Sequence, residues 1–260
     1  MAVNRNHYKI QYYNNHRYLT FPVLTHYGIK HCFTSSDILP FESDTEEQIE
    51  KDYDEIFNYI NHPVNHRFFT SQVHSDNIET IITPHCGTAF YLGNFFEKCD
   101  GLMTQLSDVA LLTKFADCTP IVIYDPIKKV IANLHSGWRG TSKKISEKAI
   151  AMMSQIYGSK PENLIVVIGP CIGYKDFEVQ RDVIDIFSES FLNIDDFYTK
   201  KDHIHYLLNM QGIIERSLIS IGVKESNIYS ADISTFSSDL MHSFRRDGSK
   251  SGRMTLVTIL

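Results

Sequence analysis

The sequence predicts an α/β protein, in the α+β sense, in which mixed β-sheets are covered by helices. Three observations carry this. Short apolar runs at 77–82, 109–115, 121–124, 130–134 and 164–168 are bounded by turn residues and read as buried strands. Longer amphipathic segments of helical period lie beside them. The two kinds do not alternate strictly, so a doubly wound parallel sheet is not expected. No repeat, low-complexity tract or linker divides the 260 residues, which read as a single domain, 1–260, long enough for a large core.

In chain order, residues 1–35 read as strands and turns, with 18–23 a strand. The segment 45–60 is a helix: Thr45 with Gln48 supplies a capping box, and Ile49, Tyr53, Ile56, Phe57 and Ile60 share one face. Residues 67–70 form a strand, followed by the five apolar runs. The spacing predicts a helix over 142–157 with Ile145, Ala149, Met152 and Ile156 inward; Gly158 ends it and Pro161 blocks its continuation. A helix over 181–191 follows. Another covers 206–221, with Leu207, Met210, Ile214, Leu218 and Ile221 inward and Gly222 as its stop. Residues 253–260 read as a final strand.

Lys plus Arg is 25 against 31 Asp plus Glu, a formal charge of −6, which argues against a dedicated nucleic-acid binder. No apolar stretch approaches the ~20 residues of a spanning helix, and residues 1–19 lack an apolar signal core. Five cysteines form no dense framework, so reduced thiols and a cytoplasmic location are expected.

Four polar segments interrupt the strand pattern: Ser71-Gln72-Val73-His74, Ala116-Asp117-Cys118-Thr119-Pro120, His135-Ser136-Gly137-Trp138-Arg139-Gly140, and Gly169-Pro170-Cys171-Ile172-Gly173. Binding groups concentrate on loops fixed by rigid strands. His74, Cys118 and His135 sit at the ends of three different predicted strands. Two imidazoles and a thiolate make a zinc triad, with a fourth position open for a water that zinc brings to a pKa of about 7. Their spacing is not finger-like, and a lone His or Cys near a strand end is commonly structural, so residue type leaves both readings open. Gly137-Trp138-Arg139-Gly140 leads into a helix whose free N–H groups, with Arg139, suit a phosphate. A tight turn with Trp138 in the core and Arg139 solvated explains it equally.

His203 and His205 alternate and could face one metal, although a solvated pair is the default. His31-Cys32 and His85-Cys86 read as structural. Arg245, Arg246 and Arg253 form a local basic cluster, by default a solvated face, that could also contribute to an anion site. No G-x-G-x-x-G, Walker loop, G-x-S-x-G or H-E-x-x-H is present.

Gln72-Val73-His74, Cys99-Asp100-Gly101-Leu102-Met103-Thr104, Ala116-Asp117-Cys118-Thr119-Pro120, His135-Ser136-Gly137-Trp138-Arg139-Gly140, Gly169-Pro170-Cys171-Ile172-Gly173 with Phe177-Glu178-Val179, and Phe244-Arg245-Arg246-Asp247-Gly248 through Gly252-Arg253-Met254 stand in the order seen in one family. Over residues 20–260 the chain resembles the YfiH-like family, once named multicopper polyphenol oxidase or laccase-like and now assigned purine nucleoside phosphorylase and adenosine deaminase activity. The resemblance implies a YfiH-like, CNF-like layered α/β domain and a zinc site at His74, Cys118 and His135, with copper as the alternative ion. It implies phosphorolysis of adenosine, inosine and S-methyl-5′-thioadenosine, and deamination of adenosine, hence purine nucleosides and phosphate as partners of a monomer or small homo-oligomer. Within that frame Arg139 is our candidate for phosphate and Asp117 for orienting a ligand, and Gln72 and Arg245 complete the expected substrate-binding set. Two departures stand out. Phe33-Thr34-Ser35-Ser36-Asp37 replaces an Arg and a Gly-Gly pair, and Ile233-Ser234-Thr235 replaces a Cys-Thr pair.

Three other functions stand as alternatives. Cys118 could be a nucleophile activated by His135 or His74 without an obligatory metal. Copper-dependent phenol oxidation would need His-x-His pairs, of which only His203-x-His205 fits. A peptidoglycan-precursor editing factor is the non-catalytic alternative.

Overall fold

The computed structural model describes residues 2–38 and 45–260. Two large sheets lie face to face. A seven-stranded sheet runs in the order Asn4–Arg5, Ile228–Ser230, Ile165–Ile168, Thr119–Asp125, Val130–Ser136, Gly101–Thr104 and Ile78–Ile81. An eight-stranded sheet runs Lys9–Tyr13, His16–Thr20, Lys30–Thr34, Met254–Ile259, Val109–Phe115, His66–Thr70, Gly93–Phe96 and Thr88–Phe90. Both mix parallel and antiparallel pairs. Val109–Phe115 pairs antiparallel with Met254–Ile259 and parallel with His66–Thr70. A three-stranded sheet of Glu178–Gln180, His205–Leu208 and Tyr198–Lys200 stands apart.

Side-chain alternation explains why the central strands read as unbroken apolar runs. Val122 and Tyr124 point into the layer between the large sheets, where they meet Phe33, Leu111 and Leu256. Ile121 and Ile123 point the other way, onto Ile145, Ala149, Met153, Ile214 and Leu218 of two covering helices. Ala110 and Leu112 face outward from the second sheet onto Tyr53, Ile56, Phe57 and Ile60 of the helix Glu46–Ile60. The layers are therefore helix, sheet, sheet, helices, as expected for mixed sheets covered by helices. Asn133 stitches the middle layer. Fully buried, it donates through Nδ2 to the carbonyls of Leu111 and Leu256 at 2.9 and 3.2 Å and accepts from the Thr113 hydroxyl at 2.6 Å.

Three predicted elements are corrected. The strand at 18–23 ends at Thr20, because Pro22 opens the short helix Pro22–His26 with its fixed φ. The helix at 142–157 is two: Trp138–Ser142 and Ile145–Tyr157, broken at Lys144 with φ 61°. In the second of these Ile156 points to solvent instead of inward. The helix at 206–221 begins only at Met210, capped by the Asn209 side chain accepting from the Gly212 N–H at 2.9 Å. Residues 206–208 belong to the strand His205–Leu208, whose Tyr206 and Leu208 are buried at period two. The capping box at Thr45 is half formed. Thr45 accepts from the Gln48 N–H, while the Gln48 amide turns to Asp52.

Candidate active site

The site forms where strands of both sheets end on one side. His135 lies on the strand Val130–Ser136, opposite Pro120, and Cys118 immediately precedes the neighbouring strand Thr119–Asp125. His74 comes from the loop after His66–Thr70, with φ 59° in the left-handed region. One ring nitrogen of each histidine and the Cys118 sulfur lie within 4.8 Å of one another, and the two rings meet edge to face at 5.1 Å.

Asp100 holds this arrangement. Its carboxylate, without solvent exposure, accepts the backbone N–H groups of Val73, His74 and Ser75 at 3.2, 3.0 and 2.7 Å and the Ser75 hydroxyl at 2.6 Å. It also lies 2.9 Å from Nδ1 of His135. One carboxylate thereby folds the His74 loop and aims the His135 ring, leaving Nε2 of His135 for Cys118 and the hollow beside it. Burial would raise Asp100, but the hydrogen bonds from His135 and Ser75 outweigh it and bring the carboxyl down to about 2. Burial likewise disfavours the Cys118 thiolate, and the facing imidazoles of His135 and His74 reverse this and lower the thiol. His135 is raised in turn: burial opposes its charge, and Cys118 and Asp100 overcome it.

Gly137 makes the room. A Cβ there would stand 2.6 Å from Cδ2 of His74 and 3.0 Å from Sγ of Cys118, so a side chain would fill the hollow between them. Two nitrogens and a thiolate sulfur around a hollow, with the second nitrogen of His135 held by a carboxylate, fit the donor set and outer support of a zinc site.

The three residues line a cleft of about 550 Å³ together with Gln72, Lys114, Phe115, Asp117, Trp138, Phe177, Phe244, Arg245 and Arg253. Gln72 reaches the cleft wall, but both ends of its amide clamp Lys114: Nε2 donates to the Lys114 carbonyl at 2.7 Å and Oε1 accepts its N–H at 2.8 Å. Asp117 makes no hydrogen bond to the three. It accepts the Thr235 hydroxyl and the Arg245 N–H, both at 2.6 Å, and so ties two loops to the Cys118 turn. Arg245 lines the cleft, with its guanidinium over Phe177 and one N–H on the Glu178 carbonyl. Arg139 is not among the lining residues. Exposed, it lies over the Trp138 ring at 4.1 Å, in keeping with the solvated alternative. His203 is exposed and His205 pairs with Asp202 at 2.8 Å. His31 is structural: buried, it accepts the Phe21 N–H at 2.8 Å and contacts the Ile29 carbonyl. Residue-by-residue reading passed over Asp100, Lys114 and the cleft aromatics. The one available signal was the Cys99-Asp100-Gly101 block.

A family described as multi-copper polyphenol oxidoreductase laccase matches residues 26–260. The chain belongs to this family. Among relatives of this laccase-like chain, the protein named purine nucleoside phosphorylase YlmD of Bacillus subtilis is 28% identical over 225 residues, 83% of this chain and 81% of its own. A protein named adenosine deaminase RL5, from an unknown prokaryotic organism, is 31% identical over 60% of each chain. The crystal structure of the Bacillus licheniformis hypothetical protein YfiH superposes with a TM-score of 0.87 at 25% identity, covering 95% of this chain and all of that one. YlmD from Geobacillus stearothermophilus shares the fold with a TM-score of 0.87 at 23% identity, over 96% of this chain and 98% of its own. At the level of the laccase-like family, the names of the relatives point to enzymes. No helix among the described residues is long and apolar enough to cross a membrane.

Proposed function

We propose that this chain is a purine nucleoside phosphorylase that also deaminates adenosine, with His74, Cys118 and His135 holding a zinc ion. The observation that supports this most is the convergence of those three side chains on one wall of a cleft of nucleoside size that also carries aromatic rings and cations. Phe115, Trp138, Phe177 and Phe244 offer apolar and aromatic surface for a purine, and Arg245 reaches the same space. In phosphorolysis a phosphate oxygen bonds to C1′ as the C1′–N9 bond breaks. The electron pair leaves with the purine, and the proton of HPO₄²⁻ ends on the purine ring. The products are the free base and ribose 1-phosphate. Deamination replaces the 6-amino group by oxygen from water and releases ammonia. A bound zinc would supply Lewis acidity and an acidified water. Asp100 keeps Nδ1 of His135 occupied and the His74 loop folded, so that a ring nitrogen of each histidine stays within 4.8 Å of the other and of the Cys118 sulfur. Gln72 and Asp117 shape the wall through Lys114 and Arg245.

The test is incubation of the protein with inosine, or adenosine, and phosphate, with products separated. Hypoxanthine with ribose 1-phosphate from inosine supports the phosphorylase, and inosine from adenosine supports the deaminase. No turnover of either nucleoside at full zinc occupancy overturns both.

One observation favours a second reading. Cys118, His135 and Asp100 form a chain of thiolate, imidazole and carboxylate with the roles of nucleophile, base and orienter. Under that reading chelated protein keeps full turnover.

A further inference from the structure

Lys114 and Arg253 occupy the cleft without a role in the reading above. The register pairs Lys114 with Thr255 and Phe115 with Met254 across two antiparallel strands. Arg253 immediately precedes Met254, two positions from Thr255. The period-two alternation therefore puts Lys114 and Arg253 on the same face, at diagonal positions at the mouth of the sheet. Both are half-buried and both line the cleft. The Lys114 backbone is fixed by the Gln72 clamp. Arg253 donates through Nη1 to the carbonyls of Ser251 and Gly252 at 2.7 and 2.9 Å, and its guanidinium lies 5.4 Å from the Phe244 ring centroid. Its Nε and Nη2 make no hydrogen bond among the described residues.

Two cations side by side in a half-buried cleft repel each other. Burial, and then the charge of Arg253, bring the Lys114 ammonium down to about 8. A dianion between Lys114 and Arg253 would relieve the repulsion. A guanidinium edge on one side and an ammonium on the other match a tetrahedral oxyanion with several free oxygens.

We propose that Lys114 and Arg253 form an oxyanion subsite that takes a phosphate group of charge near −2, and thereby set the preference for phosphate over water at this cleft. The inference rests on the phosphorylase reading for its role, and on the geometry alone for its ligand. Calorimetric titration with inorganic phosphate, without nucleoside and at fixed ionic strength, tests it. Lys114→Met and Arg253→Met should each weaken phosphate binding by about 10-fold or more, while Lys114→Arg, which keeps the charge, stays within about 3-fold of the parent. A parallel titration with AMP separates free phosphate from a nucleotide phosphate. Phosphate affinity unchanged in both Met variants overturns the subsite, as does a parent protein that binds neither phosphate nor AMP. Binding of AMP alone, with the same loss in the Met variants, supports the subsite and contradicts the phosphorylase reading. Phosphate binding that is sensitive to both substitutions, without phosphorolysis of any purine nucleoside, likewise keeps the subsite and removes the proposed function.

Discussion

Gly137 is the residue at which the site tolerates least change. Its Cα leaves a hollow that an alanine methyl would fill, 2.6 Å from the His74 ring and 3.0 Å from the Cys118 sulfur. Its φ of −71° is open to any residue, so the penalty falls on the neighbours and not on the backbone. Gly137→Ala is expected to weaken zinc binding at least about 10-fold and to lower turnover in parallel, measured by competition with a chromophoric chelator. Asp100→Asn is expected to cost about 10–100-fold in zinc affinity, because the amide replaces a charged acceptor for His135 and offers an N–H to a loop that needs acceptors. An unchanged affinity in that variant would show that Asp100 does not position the ligands. His74, Cys118 and His135 were legible as candidates from residue type at strand ends, and only the family resemblance singled them out as a ligand set. Asp100 was not, because its partners are mostly backbone N–H groups, which no side-chain pattern advertises. Arg139 looked like a phosphate ligand because glycines and a helix start surround it. The side chain instead lies over the adjacent Trp138 ring, outside the lining of the cleft, a choice of side-chain rotamer that residue types alone do not specify.

At the scale of elements, the turn between Pro22–His26 and Lys30–Thr34 depends on a neutral imidazole. His31 accepts from the Phe21 N–H through Nε2 and faces the Ile29 carbonyl with Nδ1, so a second proton would displace the Phe21 contact. Burial lowers His31 to about 4, outweighing the Ile29 carbonyl, which raises it. With the folded value below the unfolded one, the unfolded chain binds more protons between about pH 6.5 and 4. His31 therefore contributes no loss above about pH 6.5, and stability falls as pH drops from there to about 4, by about 3 kcal/mol in all. Denaturant melts of His31→Gln should show a shallower decline over that window; an identical slope would contradict the assignment. Asn209→Ala removes the acceptor for the Gly212 N–H and is expected to cost about 1 kcal/mol in the same melts. That cap also explains a misreading. Leu207, Met210, Ile214 and Leu218 fall at helical spacing across a boundary where a strand becomes a helix, so one apolar stripe spans two elements. Glu46–Ile60 raised no such difficulty, because the Thr45 cap and the apolar face of the helix agree.

For the whole molecule, the layered fold was legible because strands buried on both faces leave continuous apolar runs, and helices covering them leave one-sided stripes. Strand order was not. Val109–Phe115 takes Met254–Ile259 on one side and His66–Thr70 on the other, and long-range pairing of this kind leaves no local mark. The site exists only through that pairing: it assembles from the ends of strands in both sheets, with Asn133 holding the layers in register. The proposed function requires that His74, Cys118 and His135 hold one ion on which turnover depends. The most direct test is to remove metal from the protein, titrate zinc back, and follow phosphorolysis of inosine at each step. Activity rising from near zero to a plateau at one zinc per chain is the predicted result. Full turnover in the metal-free protein, unchanged by added zinc, would contradict it.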